Sequence, residues 1–350
     1  MAVSEEEYIM GSCKEKLPWS ELSNKNILVT GANGMIASRL IEVLMDSSLK
    51  KGLNIGVYAL CRNKDRAIDC FSKFCSDANF HLLVGDVTKP LKIKVDFSYI
   101  IHAASPAHPD AFNSTPVDVL KSNFIGTANC LEYQMNCSKC RFMFVSSSEV
   151  YGENVENIPI FSERTLGKVD FTRARACYPE GKRAAETLCF CYEKQYNSDI
   201  VIVRPAFIFG RNILADNKRA DVYFLRQVLE HKDIVMYSDG SQIRSYLYVD
   251  DCVMGMLFAL LLGEKGGVYN IGDENCVVTM KEYAQLLAKA GGVKVVFDSS
   301  AIPHGKTFLK TTRLVLDTSK LRELGWRPEF TLESGIEDVL RGVPDVDFRK

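Results

Sequence analysis

The chain has 350 residues, 47% of them hydrophobic and 25% charged, which excludes a disordered or collagen-like protein and allows about two domains. Its 43 lysines and arginines almost balance 44 aspartates and glutamates, so no net field gathers nucleic acid or an anionic membrane. The apolar run from Val253 to Leu262 is too short for a bilayer span of about 20 residues.

Residues 1–24 are polar and acidic. They lack the basic start and apolar run of a secretory signal and are expected to pack loosely as an N-terminal extension. Asn26-Ile-Leu-Val-Thr30 predicts the first strand. The small-residue turn Gly31-Ala-Asn33-Gly34-Met35-Ile36-Ala37 follows, then an amphipathic helix from Ser38 to Met45. A second strand over 54–60 completes a βαβ unit, which implies a parallel sheet. The alternation continues with strands over 81–84, 99–102 and 141–145 and a long helix over 117–137. A loop is expected over 153–170, a helix over 178–196, and a strand over 200–203 stopped by Pro205.

Past residue 205 the pattern is less regular. A helix is expected over 221–231 and a strand over 245–249, with Asp250 as the N-cap of the next helix. A strand over 268–271 follows. Thr279 then opens a helix with Glu282 in the capping-box position. The expected architecture is α/β: a Rossmann-type doubly wound parallel sheet with a smaller mixed α/β C-terminal lobe. Its parts are an extension (1–24), a dinucleotide-binding domain (25–204), and a mainly substrate-binding lobe (205–350) with segments returning to the core.

Sites in such folds lie where loops leave the carboxyl ends of the strands. At the first of these, the Gly31–Ala37 turn lets backbone approach a pyrophosphate at a helix N-terminus; the plainer reading is a tight strand-to-helix turn. The second strand ends in Cys61-Arg62-Asn63, with no acid for a ribose hydroxyl. Arg62 suits the 2′-phosphate of NADP, so NAD and NADP both stand. Tyr178 and Lys182 share a helix face. A cation near a phenol lowers its pKa and makes a usable base. Ser147, at the preceding strand end, is placed to hold the same substrate oxygen. Glu149 is a second acid/base group or a solvent-facing charge.

Other residues carry weaker signals. His102 and His108 read as structural histidines. Arg244 fits a phosphate or carboxylate clamp, or an ion pair. The 12 cysteines fit reduced thiols in a cytoplasmic protein. Cys137 and Cys140 have CxxC spacing but no second pair, so no metal site is expected.

The stretches TGANGMIASRL, GDV, HAASPA, SNFIGT, SSSEVYG, YPEGKRAAET, RPAFIFG and RSYLYVDD resemble the extended short-chain dehydrogenase/reductase superfamily, in its nucleotide-sugar-modifying branch. The resemblance runs from about residue 24 to 342. Residues 175–187 are similar to the corresponding string of UDP-glucuronate decarboxylases. The resemblance implies Tyr178 as base at the sugar 4-hydroxyl, Lys182 as its tuner and nicotinamide-ribose ligand, and Ser147 at the 4-oxygen. It implies Gly31, Asn33, Gly34, Met35, Ile36, Asp86, Val87, Ala103, Ala104, Ser105 and Pro205 at the cofactor, while Arg62 stands where the family carries an acid. It implies Ser148, Glu149, Phe207, Arg211 and Arg244 at the substrate. The reaction implied is transient NAD(P)-dependent oxidation at C4 followed by decarboxylation. The alternatives are 4,6-dehydration, 4-epimerisation, 4-keto reduction, or a non-catalytic dinucleotide-binding scaffold. Phe207 stands where the decarboxylases carry asparagine, which is compatible with another nucleotide sugar. Relatives often form homodimers through the helices here at about 117–137 and 178–196.

Overall fold

The computed structural model describes residues 12–211, 219–298 and 313–342. Its centre is a parallel sheet of seven strands: β1 (Asn26–Thr30), β2 (Gly56–Cys61), β3 (Phe80–Val84), β4 (Tyr99–His102), β5 (Arg141–Val145), β6 (Asp199–Pro205) and β10 (Gly267–Ile271). They lie in the order β10-β6-β5-β4-β1-β2-β3. Alternate residues of each strand face opposite layers. Ile27, Val29, Ile101, Met143, Val201 and Val203 pack on one side, and Leu28, Ile100, Phe142, Phe144, Ile200 and Ile202 on the other.

The first layer holds α2 (Met35–Lys51) and α8 (Val249–Leu262). The second holds α5 (Pro116–Gln134) and α6 (Cys177–Tyr196), which pack along each other. The short helices α3 (Lys64–Cys70) and α4 (Pro109–Ser114) follow β2 and β4. Helix α8 is buried along most of its length, so its apolar run is a core helix under the sheet. Among the described residues, no helix is long and apolar enough to cross a membrane.

The remaining strands form smaller sheets. Strand β9 (Ile243–Tyr248) pairs with β7 (Phe207–Phe209), β11 (Val277–Thr279) and β13 (Arg313–Leu314), antiparallel only to β11. Strands β8 (Ile234–Met236) and β12 (Val295–Phe297) pair in parallel. Helices α7 (Ala220–Leu229), α9 (Met280–Gly291), α10 (Ser319–Glu323) and α11 (Leu332–Gly342) complete this half. Thr279 and Glu282 form the full capping box at α9.

Several expectations change. Helix α2 begins at Met35, directly after Gly34, so the apolar end of the turn is already helical. Helix α5 stops at Gln134, whose side-chain amide is drawn to the carbonyls of Cys140 and Asp199. Asp250 is not a cap: β9 runs straight into α8 through Tyr248, and the Asp250 carboxylate takes Arg39 of α2 at 2.6 and 2.8 Å. Nor do residues 12–24 pack loosely. After the turn α1 (Ser12–Glu15), Leu17, Trp19 and Leu22 are buried in the same core as β1 and α2, and the Trp19 indole donates to the Lys14 carbonyl. Residues 1–11 of the expected extension lie outside the described residues.

Candidate active site

A cleft of about 580 Å³ opens along the carboxyl ends of the parallel strands. The strand order sets its sequence. The ends of β3 and β2 bring Asp86, Val87 and Arg62 to one side; β1 brings Gly31 to Ile36; β4 brings Ala103 to Ser105; β5 brings Ser147 to Glu149; β6 brings Pro205 and Phe207. Tyr178 and Lys182 of α6 and Arg244 of β9 line the far end. Every expected site residue lines this cleft except Arg211. Its guanidinium is committed to Asp338 of α11, with Nε at 2.6 Å from the carboxylate, and Tyr248 donates to the same group. Arg211 ties the segment after β7 to the helix α11, and Tyr248 ties β9 to the same carboxylate.

At the β1 end the requirement is space. Gly31 has φ +68°, and a Cβ there would stand 2.6 Å from the Ala104 Cα and 2.8 Å from its nitrogen. The glycine therefore lets the end of β4 lie against the turn, besides keeping backbone open to a ligand. Asn33 donates to the Asn63 carbonyl at 3.2 Å, while its Oδ1 is buried without a hydrogen-bond partner among the described residues. The Ser105 hydroxyl is in the same condition. Buried polar atoms of this kind call for a partner. With the helix N-terminus at Met35 they fit a bound dinucleotide. Arg62 and Arg66 line the cleft at the β2 end. Burial works against the Asp86 carboxylate, yet two bonds from Thr88 and the charge of Arg62 hold it below its ordinary range.

At the β5 end the residues are buried and ionisable. Lys182 is 3% exposed; its Nζ donates to the Val145 carbonyl at 2.7 Å and lies 4.8 Å from the Phe144 ring centre. Burial pulls its ammonium down to about 7, against the pull of Glu186. Burial pushes the Tyr178 phenol up to about 12; Glu149 adds to this, while the Ser147 hydroxyl, Arg219 and Arg175 oppose it. This is opposite to the lowering expected from a lysine four residues on. The Lys182 charge is turned to β5, and its Nζ is 5.8 Å from the phenol ring centre. Ser147 Oγ accepts the Glu149 backbone N–H at 3.2 Å, which leaves its proton to donate.

Two arginines organise this end. Arg175 Nη2 donates to both Glu149 carboxylate oxygens at 3.2 and 2.9 Å, and its guanidinium lies 4.4 Å from the Phe112 ring centre. Its Nη1 is buried without a hydrogen-bond partner among the described residues. Arg244 is 4% exposed, held by the Ile243 carbonyl and the Gln242 side chain, 4.9 Å from the Phe207 ring centre. The sequence reading passed over Arg175, Arg66 and the Arg219–Asp221 pair, whose guanidinium and carboxylate meet at 2.6 Å. The only signals were that Arg175 precedes Tyr178 by three residues and Arg66 follows Arg62 by one helical turn. Six cationic side chains line the cleft against three carboxylates, so a nearly neutral chain concentrates positive charge where an anionic ligand would sit.

His102 is fully buried and does not line the cleft; its Nδ1 meets the Thr30 hydroxyl at 2.7 Å, and burial drives its imidazolium down to about 3. His108 lines the cleft and caps α4, its ring nitrogen accepting from the Ala111 backbone. Cys137 and Cys140 carry free thiols. A hydrogen bond with Cys140 lowers the Cys137 thiol to about 7. No group of three or more potential metal ligands occurs among the described residues.

Residues 27–272 match the NAD dependent epimerase/dehydratase family, and the chain belongs to it. It is 34% identical over 318 residues to UDP-glucuronic acid decarboxylase 6 of Arabidopsis thaliana, covering 90% of this chain and 87% of that one. It is 31% identical to UDP-glucuronic acid decarboxylase 1 of Xenopus tropicalis, over 92% of this chain and 72% of that one. Among solved structures, it is similar to UDP-glucuronic acid 4-epimerase from Bacillus cereus, in complex with UDP-glucuronic acid and NAD. The TM-score is 0.75 and the identity 25%, over 90% of this chain and 99% of that one. The dTDP-glucose 4,6-dehydratase of Bacillus anthracis str. Ames, in complex with NAD, shares the fold. Its TM-score is 0.75 at 21% identity, over 91% of this chain and 96% of that one.

Proposed function

We propose that this member of the NAD dependent epimerase/dehydratase family decarboxylates a nucleotide-activated uronic acid, with UDP-glucuronate as the leading substrate. The observation that carries this reading is the unsatisfied Nη1 of Arg175. That nitrogen is buried, in a guanidinium held by Glu149 and stacked on Phe112, with its hydrogen-bonding capacity unused. A substrate carboxylate satisfies that donor, and a neutral hydroxymethyl group satisfies it less well. The 34% identity to a UDP-glucuronic acid decarboxylase supports the same choice.

Each side chain then has a task. Arg244, with Arg219 nearby, holds the diphosphate. Ser147 donates to the sugar 4-oxygen, and Tyr178 takes the 4-hydroxyl proton. A bound dinucleotide supplies the hydride acceptor, and later the donor, at C4. With C4 a ketone, the uronic acid is a β-keto acid, whose C5–carboxylate bond breaks to release carbon dioxide. Arg175 aims that carboxylate while Glu149 keeps the guanidinium in place. Burial pushes Tyr178 up to about 12, and the Ser147 hydroxyl, Arg219 and Arg175 pull it back towards the value a base needs.

The reading has finer parts. Arg62 and Arg66, with no acid at residues 62–64, support NADP over NAD. The C-terminal residues from Ala206 onward that line the cleft support a substrate lobe over 205–350. Val117, Leu120, Phe124, Ile125 and Phe190 expose apolar side chains on α5 and α6, which supports a homodimer through these helices; a monomer by light scattering would remove it. The free thiols support a cytoplasmic enzyme. A second reading rests on Phe207, an apolar ring at the substrate end, and takes a neutral nucleotide sugar for dehydration or epimerisation. Mass spectrometry of UDP-glucuronate incubated with the protein and either NAD or NADP separates the two. Loss of carbon dioxide supports decarboxylation. An unchanged mass, with a neutral sugar nucleotide losing water, supports the second reading.

A further inference from the structure

Behind the cleft lies a buried network that the reaction as described does not use. Glu186 stands on α6 one helical turn after Lys182 and is 5% exposed. Its Oε1 accepts from the Ser146 hydroxyl at 2.5 Å and from Arg204 Nε at 2.9 Å, and its Oε2 accepts from Arg204 Nη2 at 2.6 Å. Arg204 reaches onward. Its Nη1 donates to the Tyr151 hydroxyl at 2.9 Å and to the Glu163 carbonyl at 3.0 Å. Tyr151 in turn donates to Asn270 of β10 at 2.7 Å.

These contacts bracket the reacting end. Ser146 immediately precedes Ser147, and Tyr151 closes the short helical turn that carries Ser148 and Glu149. One carboxylate therefore joins the helix bearing Tyr178 and Lys182 to the segment bearing Ser147 and Glu149. The same carboxylate acts electrically. The ionisable groups around Lys182 are Glu186 and Cys189 on its own helix, Tyr178 on the same helix, and His102 on β4. Burial holds the His102 ring, the Cys189 thiol and the Tyr178 phenol in their neutral forms. Glu186 is the anion of the set.

We propose that Glu186 is a positioning residue for the reaction: it clamps the Ser147 segment to α6 through Ser146 and Arg204, and it supplies the counter-charge beside Lys182. The second half rests on the catalytic reading of Lys182, but its test needs no turnover. In protein with isotope-labelled lysine, the Lys182 side-chain resonances are assigned with a Lys182→Met variant and titrated without ligand. In Glu186→Gln, the Lys182 midpoint falls by about one pH unit. The alkaline limb of kcat on the nucleotide sugar moves the same way, with KM little changed. Glu186→Asp, which keeps the charge, restores most of the shift. Removing one partner of a buried pair strands the other, so Glu186→Gln can fail to fold. The double variant Glu186→Gln/Arg204→Met removes both charges, and the same downward shift is expected. An unmoved Lys182 midpoint in a folded variant overturns the proposal and leaves Glu186 a structural residue only.

Discussion

At the β1–β2 end of the cleft, a ligand meets backbone and small side chains: Gly31, Asn33, Gly34, Ala103, Ala104 and Ser105. At the β5–β6 end it meets Lys182, Tyr178, Glu149 and Arg175, all at least half-buried and ionisable or charged. The first end solves a problem of space, and its requirements sit within a few neighbouring residues. The second solves a problem of charge, and its requirements come from far apart in the chain. Burial lowers the Lys182 ammonium to about 7 while Glu186 pulls it back up, and Glu186 is itself held by Arg204 and Ser146. Space is needed to admit a cofactor of either kind; charge decides what happens to the substrate. Damage at the two ends should therefore fail differently.

The largest effect belongs to the charged end. Tyr178→Phe keeps the ring's packing and removes the transferable proton. Turnover should fall by about 10²–10⁴-fold while dinucleotide binding, followed by fluorescence, stays near wild type. If turnover survives, the base has been misassigned. At the other end, Gly31→Ala places a Cβ against the Ala104 backbone in a left-handed conformation, at a cost of about 1–3 kcal/mol. Calorimetry should show lost stability and weakened binding of NAD and NADP alike. A variant as stable as wild type would break the spatial account of this end.

Smaller effects sharpen the contrast. Arg175→Met should raise KM for UDP-glucuronate by about tenfold to a hundredfold, with little change in affinity for neutral UDP-sugars; equal losses for both would deny Arg175 a carboxylate partner. Arg62→Ala should cost NADP affinity about tenfold and leave NAD affinity nearly unchanged in parallel titrations. If NADP affinity is untouched, the basic end of β2 does not read the 2′-phosphate. Acid stability gives a test away from the cleft. His102 is held below its ordinary value, so the unfolded chain takes up protons first as pH falls below about 6.5, and stability declines from there towards pH 3. His102→Phe should flatten that slope in denaturant titrations.

What the sequence revealed follows the same division. Strands β1, β4 and β5 stand at the residues predicted for them, because a parallel strand buried on both faces is a short apolar run that needs no distant information. The residues expected at the β1–β2 end do line the cleft, and the signal for them was local, a glycine turn between a strand and a helix. Arg211 was not: the sequence shows a guanidinium, but its partner Asp338 lies 127 positions away. Asp250 read as a cap because carboxylates favour helix starts, while its real partner, Arg39, belongs to the first helix of the sheet. The buried Leu17, Trp19 and Leu22 were hidden by their polar neighbours. The direction of the Tyr178 shift could not be read from a Tyr-x-x-x-Lys spacing, because burial outweighs a lysine whose ammonium points at a strand carbonyl.

The central claim is that oxidation at C4 makes the C5 carboxylate leave, after which C5 takes a proton and C4 regains its own hydride. The direct test is to incubate UDP-glucuronate with the enzyme in heavy water and read the product by mass spectrometry and proton NMR. The account predicts a decarboxylated product with one deuterium at C5 and its original protium at C4. A recovered substrate of unchanged mass and no C5 label, from protein shown to bind both dinucleotide and UDP-glucuronate, would contradict it.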